Sequence, residues 1–252
     1  MMLHTSPIPP VTIHEVVKTE PVVDVVLEEP KVRTRQPTPE VSLLNELLEL
    51  DRLLITKKLR VRNVVFLKGR RNRYLVKTSD QTLIYTVEEE NSWWAGYFCY
   101  GLRPLQLRVL NDKGAEVMRI HRPYACTGRC LPCQLQHLEV YSKGVRLGTV
   151  EQQWTPIKPL YLVKNDNGDH LFWIRGPFMT LSCFRDVQFE ILRHDGAPVG
   201  ATCKRWQGLM HALFYAPVID NFGVAFEQDL TVEEKGLLLA ATLLMDYMYY
   251  DV

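Results

Sequence analysis

A short, almost entirely apolar segment near the C-terminus limits what this chain can fold into. Residues 236–245 are apolar apart from one glycine and one threonine, and Asp246 and several tyrosines follow them. Just before this segment, Thr231 and Glu234 have the spacing of a capping box, in which a hydroxyl and a carboxylate bond the free amides at a helix start. The sequence therefore predicts a C-terminal helix that is apolar on all sides.

This helix could cross a membrane or lie in a protein core. Residues 236–250 would form a helix of about 22 Å, whereas the hydrocarbon core of a bilayer is about 30 Å thick. A carboxylate such as Asp246 costs about 2.5–3.5 kcal/mol at the centre of a membrane. Length and charge favour a helix buried in a folded domain, and a membrane span is the alternative.

Between about residues 59 and 206, short apolar runs alternate with turn sequences. The runs are rich in Val, Ile, Leu, Tyr, Phe and Thr, and glycine-bearing turns such as residues 111–114 and 165–168 separate them. The count approaches twelve strands if residues 59–67 and 93–100 each contribute one. Such spacing favours an antiparallel barrel or sandwich over βαβ units. The predicted fold class is mainly β (α+β), with about twelve strands enclosing the C-terminal helix.

The N-terminal part of the chain has a different composition. Residues 1–38 are rich in proline, which interrupts both helices and central strands, so we predict a disordered tail followed by one domain at 39–252. Residues 7–10 have the form of a ligand for a proline-motif-binding protein, and a plain flexible tail is the alternative. From Ser42 to Leu54, leucines recur at helical spacing, which predicts an amphipathic helix that covers an edge or opening of the domain.

Composition excludes several classes of function. The 30 basic and 29 acidic side chains give a net charge of +1, which argues against a nucleic-acid partner unless a local patch binds it. The N-terminus lacks the basic head and apolar run of a signal peptide, so the six cysteines are expected to be reduced intracellular thiols. The sequence contains no phosphate-binding loop, nucleophile elbow or zinc-protease motif, so we predict that the protein is not an enzyme.

Three cysteines, Cys126, Cys130 and Cys133, are grouped in a predicted loop between His121 and His137. Thiolates and imidazoles ligate zinc, but structural zinc sites usually have two ligand pairs separated by a longer loop. S-acylation of loop thiols beside a membrane is a second interpretation, and three ordinary loop cysteines are the third.

A basic run extends across residues 57–73 and contains eight Lys and Arg side chains without an acid. It could bind anionic lipid headgroups at about 1 kcal/mol per charge, or nucleic-acid phosphates, and a solvated strand edge is the structural alternative. The residues we assign to headgroup contact are Lys57, Lys58, Arg60, Arg62, Arg70 and Arg71.

Residues 218–229 can be aligned with a twelve-residue calcium loop in which Gly223 takes the sharp-turn position. The candidate ligands are then Asp220, Phe222, Val224 and Asp229. The first ligand position is Val218, which has no carboxylate, so any Ca²⁺ site is weak. A structural turn that leads into the helix cap is the alternative.

From about residue 43 to residue 252, the sequence resembles the phospholipid scramblases. The segments that carry the resemblance are 47–55, 107–112, 122–123, 130–136, 153–154, 175–177, 186–190, 204–208, 220–223, 229–230 and 244–248. The resemblance implies a tubby-like fold, a twelve-stranded antiparallel barrel around a central C-terminal helix. It also implies calcium-stimulated, ATP-independent, bidirectional movement of phospholipids between membrane leaflets.

The resemblance further implies how the protein reaches a membrane. Palmitoylation would fall on Cys126, Cys130 and Cys133, and calcium binding on Asp220 to Asp229. The expected location is the cytoplasmic face of the plasma membrane, with a possible nuclear pool because Lys204 and Arg205 match an import segment of some members. The chain departs from the family pattern in having fewer clustered cysteines and no PPxY sequence. The rival functions are a tubby-like adaptor that binds lipid or protein without transport, and a nucleic-acid-binding regulator.

Overall fold

The computed structural model describes residues 44–60, 71–90, 104–123, 135–178, 187–204 and 220–250. Within these residues, twelve antiparallel strands form a closed barrel in which each strand pairs with its neighbours in sequence. The strands are β1 Arg52–Arg60, β2 Arg71–Lys77, β3 Leu83–Glu89, β4 Leu105–Leu110, β5 Glu116–Arg122, β6 His137–Ser142, β7 Val145–Gln153, β8 Leu160–Asn165, β9 His170–Arg175, β10 Val187–Arg193, β11 Pro198–Lys204 and β12 Asp220–Phe226. The predicted fold class is confirmed.

The strands form because apolar side chains alternate along them. In β3, Tyr85 and Val87 are buried while Ile84 and Thr86 between them are partly exposed, as expected of a sheet with one face on the core. The barrel closes where β12 pairs with β1, with Arg52 opposite Ala225. Closure gives both of these strands a partner on each side, which removes the exposed edges of an open sheet.

A single described α-helix, α1 (Val232–Met245), follows β12 and continues as a π-helical turn at Asp246–Tyr250. The predicted capping box is present at its start. Thr231 Oγ1 accepts a hydrogen bond from Glu234 N at 3.2 Å, and Glu234 Oε2 accepts one from Thr231 N at 2.8 Å. These bonds satisfy two of the amides that have no partner within the helix.

The helix fills the barrel. Its side chains are buried on every face, including Leu237, Leu238 and Leu239, and it contacts β6, β7, β8 and β12. Burying each such leucine stabilises the fold by about 1.5–3 kcal/mol. The predicted core position of the C-terminal helix is therefore confirmed. In the described part of the chain, no helix combines the length and the apolar character required of a membrane span.

The N-terminal segment differs from its prediction. Residues 44–47 form one 3₁₀ turn, and the predicted amphipathic helix is wrong beyond it because Leu53 and Leu54 belong to β1. Leucines in a short segment satisfy helical and strand spacing equally well, and pairing with β2 and β12 decides in favour of the strand. The strand expected at residues 59–67 begins earlier, at Arg52. The predicted tail and the strand expected at 93–100 lie outside the described residues.

The 3₁₀ turn nevertheless lies beside the start of α1. This position agrees with the prediction that the N-terminal segment covers an opening of the barrel. Lys235 Nζ donates to Leu48 O at 2.7 Å and to Gln228 O at 3.1 Å, which ties the turn to the helix. Burial lowers the pKa of Lys235 below its ordinary value, and the two carbonyls bind its ammonium.

Candidate functional site

The two ends of the barrel differ in the length of their connections. At one end, which we call the short-turn end, the connections are tight turns such as residues 78–82, 111–115 and 194–197. At the opposite, long-connection end, more residues separate consecutive strands in sequence, and the β7–β8 connection at residues 154–159 is described in full. The longer sequence intervals therefore fall between strand ends at one end of the barrel, where β1, β3, β5, β7, β9 and β11 finish.

Several predicted site residues lie outside the described residues. In sequence, Cys126, Cys130 and Cys133 come between β5 and β6, and Arg62 and Arg70 come between β1 and β2. Arg60 and Arg71 are opposite each other in the last pair of β1 and β2. The pairing of β1 with β2 thus puts these two positions at the long-connection end, and the acylation and headgroup assignments stay predictions.

The predicted headgroup contact at Lys57 is corrected by the structure. In β1, Leu53, Ile55 and Lys57 point inward, and Lys57 is only 2 % exposed. The alternation of β1 therefore turns Lys57 towards the core and leaves the neighbouring Lys58 on the outside.

Inside the barrel, Lys57 forms an ion pair with the helix. Its Nζ lies 3.1 Å from Asp246 Oδ2, and the Tyr74 hydroxyl donates to the same oxygen at 3.1 Å. Lys57 Nζ also lies 5.7 Å from the centre of the Tyr74 ring. Two charges buried away from water are tolerated only when they are paired and hydrogen-bonded, and this arrangement provides both.

Two further contacts hold the π-helical turn to the barrel wall. The buried Arg122 donates from Nε to Gln136 Oε1, and its guanidinium stacks on the Tyr247 ring at 4.9 Å. The hydroxyls of Tyr161 and Tyr249 are 2.7 Å apart. Together with the Lys57–Asp246 pair, these contacts hold the C-terminal end of the helix against the barrel wall. Their role is structural.

Sequence reasoning missed this polar interior. From the sequence, Asp246 indicates only a cost to membrane insertion, and Lys57 is predicted to lie on an outer surface. The signal in the sequence was the alternation of inward and outward side chains along each strand. Lys57 comes two residues after the inward Ile55, and Arg122 comes two residues after the inward Ile120, so both are expected to point inward.

The predicted calcium loop does not have the form of a loop. Residues from Asp220 to Phe226 are the extended strand β12, and Gly223 pairs with Leu54 and Cys203 where a sharp turn was expected. Phe222 and Val224 point into the core. A calcium loop requires its ligands to curl around one point, whereas the pairing of β12 with β1 and β11 keeps this backbone extended.

Asp229 does not complete the predicted set. It is 70 % exposed, and Arg193 Nη2 lies 3.8 Å from its Oδ2. Across the described ranges, no three His, Cys, Asp or Glu side chains are arranged to hold a metal ion. The described part of this segment therefore gives no support to a Ca²⁺ site, and calcium binding stays a prediction.

The two histidines weighed as zinc ligands lie together on the outer wall. His121 Nδ1 and His137 Nε2 are each 3.6 Å from a different oxygen of Glu139. Partial burial alone would raise the pKa of Glu139, but hydrogen bonds from Tyr141 and His137 outweigh it and hold this pKa below its ordinary value. The arrangement is a polar group on the barrel surface, centred on Glu139.

Comparison with known proteins places this barrel in a family. The family model described as Scramblase matches residues 32–252. The chain belongs to the scramblase family. The resemblance inferred from the sequence is therefore confirmed, because the match includes all of the predicted domain at 39–252.

Named relatives support the assignment of this scramblase-family chain. It is 34 % identical over 211 residues to phospholipid scramblase 2 of Bos taurus, covering 83 % of this chain and 71 % of the relative. It is 33 % identical over 218 residues to phospholipid scramblase family member 5 of Homo sapiens, covering 84 % and 80 %. It is 32 % identical over 222 residues to human phospholipid scramblase 1, covering 85 % and 69 %. No solved structure matches the chain.

Proposed function

We propose that this protein moves phospholipids in both directions between the leaflets of a membrane, without ATP. The observation that supports this most is the family match over residues 32–252, together with relatives named as phospholipid scramblases. Movement that only equalises the two leaflets runs down a concentration difference, so it requires neither bond chemistry nor an energy source.

The barrier to this movement is the transfer of a polar headgroup through hydrocarbon, which is costly because polar groups lose their hydrogen bonds to water. The barrel interior is filled by α1, with Leu237 to Leu244 buried at 0–1 % exposure. We therefore propose that the protein lowers the barrier from outside the barrel, by disturbing the adjacent bilayer or by offering polar surface to the headgroup.

Membrane attachment through acylated cysteines is part of the proposal. Acylation at two or three of Cys126, Cys130 and Cys133 would anchor the chain stably, whereas a single chain gives only marginal binding. Lys58, Arg60, Arg62, Arg70 and Arg71 would add contacts with anionic headgroups at the same membrane. Replacing all three cysteines with Ala should move the protein from membrane to soluble cell fractions, and unchanged partitioning would reject acylation as the anchor.

The expected location is the cytoplasmic face of the plasma membrane, with a nuclear pool when the cysteines are not acylated. The proline-rich residues 7–10 are the proposed contact for a proline-motif-binding partner. Calcium stimulation is the part of the prediction for which β12 gives no support, because its residues are extended and Phe222 and Val224 are buried. The proposed mechanism therefore does not depend on calcium, and the activity test compares lipid exchange with and without Ca²⁺.

A second candidate is a lipid- or protein-binding adaptor without transport. The filled barrel interior favours it, because a closed domain with a buried helix offers no described internal path for a lipid. Reconstitution into liposomes that carry a fluorescent lipid in one leaflet separates the two functions. We expect probe exchange between leaflets to accelerate with protein dose, measured with and without Ca²⁺, relative to protein-free liposomes. Vesicle binding without acceleration at any dose would favour the adaptor.

A further inference from the structure

Exposed aromatic side chains lie at the long-connection end of the barrel. Trp154 and Ile157 in the β7–β8 connection are 54 % and 52 % exposed, and Phe178, just after β9, is 66 % exposed. The structure joins these segments, because β8 and β9 pair with Leu160 opposite Arg175 and Gly176 N donates to Pro159 O at 2.8 Å. We call Trp154, Ile157 and Phe178, with Lys158 and Arg175, the aromatic tip.

The backbone of the aromatic tip is held in place before any partner arrives. The Thr155 hydroxyl donates to Lys158 O across the turn, and Pro156 and Pro159 restrict the backbone on either side of Ile157. A side chain on Gly176 would lie 2.3 Å from Pro159 Cγ, which shows how closely the two segments pack. A shallow cleft of about 330 Å³ runs along this surface beside Ile157 and Arg175.

The charge of the aromatic tip is positive. Lys158 and Arg175 are both exposed, and residues 154–160 and 175–178 include no acid. The nearest acidic position by register is Glu190, opposite Arg175 on β10. Aromatic rings flanked by cations are the side chains that occupy the interface between lipid headgroups and acyl chains, with the rings in the interface and the cations beside phosphate.

The opposite end of the barrel has a different surface. Its exposed large apolar side chains include Leu83 and Val145, which are aliphatic, at 43 % and 46 % exposure. Leu83 begins β3 after one tight turn, and Val145 begins β7 after another. Among the described residues, the large aromatic side chains that are mainly exposed are those of the aromatic tip.

We propose that the aromatic tip inserts into the interface of an anionic phospholipid bilayer and thereby orients the barrel with its long-connection end towards the membrane. Trp154 and Phe178 enter the level of the headgroups, and Lys158 and Arg175 bind lipid phosphates. This inference rests on the proposed function, since that function requires a membrane, and it adds the surface by which the barrel contacts the bilayer.

The test is vesicle flotation of the full chain with phosphatidylcholine vesicles that contain or lack phosphatidylserine. The double variant W154S/F178S should bind phosphatidylserine vesicles about tenfold or more weakly, because two aromatic side chains no longer enter the interface. K158Q/R175Q should lose the preference for phosphatidylserine and its sensitivity to salt. The matched control L83S/V145S, which changes exposed apolar side chains at the short-turn end, should bind like the unaltered chain.

Equal binding by W154S/F178S and the unaltered chain would overturn the proposal, and so would an equal loss in L83S/V145S. Thermal unfolding of each variant checks that these exposed changes leave the barrel folded. Lipid exchange measured on the same vesicles separates this inference from the proposed function. If the aromatic tip is needed for binding but no lipid exchange occurs, the proposed transport is rejected and the proposed role of the tip stands. If lipid exchange occurs and W154S/F178S binds like the unaltered chain, the role of the tip is rejected and transport stands.

Discussion

Lys57 Nζ on β1 lies 3.1 Å from Asp246 Oδ2 at the end of α1, and both side chains are buried inside the closed barrel. The pair joins residues that are 189 positions apart in sequence. It therefore connects the first strand to the last helical turn and fixes how far the helix enters the barrel.

Removing one member of this pair should destabilise the barrel severely. Lys57→Met or Asp246→Leu alone would leave a buried charge without its opposite, at a cost of about 3–5 kcal/mol in the free energy of unfolding. The double variant should recover most of that loss, because neither charge then remains. Urea unfolding of the two single variants and the double variant measures the coupling, and simple additivity of the two losses would contradict the role of the pair.

The capping box predicts a smaller, local effect. Thr231→Ala removes the oxygen that accepts from Glu234 N and should lower the free energy of unfolding by about 1 kcal/mol. Thr231→Ser keeps an equivalent oxygen and is the matched control, expected to stay close to the unaltered protein. Chemical denaturation reports both values, and equal losses in the two variants would show that the hydroxyl does not act as a cap.

Two glycines should respond in opposite directions to the same substitution. A Cβ on Gly148 in β7 would lie 2.1 Å from Lys164 O and 3.1 Å from Leu237 Cδ1, so Gly148→Ala should destabilise the barrel by about 3 kcal/mol or more. On Gly236 in α1 the nearest atom would be 3.5 Å away, so Gly236→Ala should stabilise the helix by about 0.5–1 kcal/mol. Thermal unfolding compares them, and a tolerated Gly148→Ala would argue against the close approach of β7, β8 and α1.

An ion pair on the outer wall should make part of the stability depend on acidity. Arg119 donates to both oxygens of Glu116 at 2.8 Å, which lowers the pKa of this carboxyl below its ordinary value of 4.5. Because the pKa of Glu116 is lower in the folded state, the ion pair stabilises the fold fully above about pH 4.5. This stabilisation is lost as the pH falls through the lowered pKa.

Glu116→Gln should therefore reduce stability at pH 7 by about 0.2–1 kcal/mol and make no difference in strong acid. Urea midpoints measured across this range provide the comparison. Asp112→Asn, which changes an exposed carboxylate in the adjoining turn, is the control. A Glu116→Gln deficit that persists in strong acid would show that the effect is not electrostatic.

The fold was largely predictable because its signals are local. Alternating apolar residues and glycine-bearing turns marked the strands, and the Thr231–Glu234 spacing marked the helix start. The helix proved to be buried because its apolar faces require a surrounding core, which only a closed sheet of many strands provides. Leu53 and Leu54 were misassigned since short leucine-rich segments fit helix and strand spacing equally, and only pairing with distant strands distinguishes them.

The candidate sites were less predictable because they depend on orientation. The basic run contains Lys57 and Lys58 side by side, yet one faces Asp246 in the core and the other faces outward. The spacing of Asp220 and Gly223 suits a calcium loop, but the backbone there is held extended by two neighbouring strands. The aromatic tip arises from the pairing of β8 with β9, which brings Phe178 beside a connection that precedes it by about twenty residues.

The most direct test is whether α1 stays inside the barrel while the protein is bound to a membrane. Vesicles containing a phospholipid with a photoreactive diazirine in its acyl chain would be irradiated with the full chain bound, and labelled peptides located by mass spectrometry. We expect label on peptides of the aromatic tip and none on residues 237–244, because twelve strands separate these helix side chains from lipid. Labelling of residues 237–244 would contradict a barrel that acts with its helix enclosed.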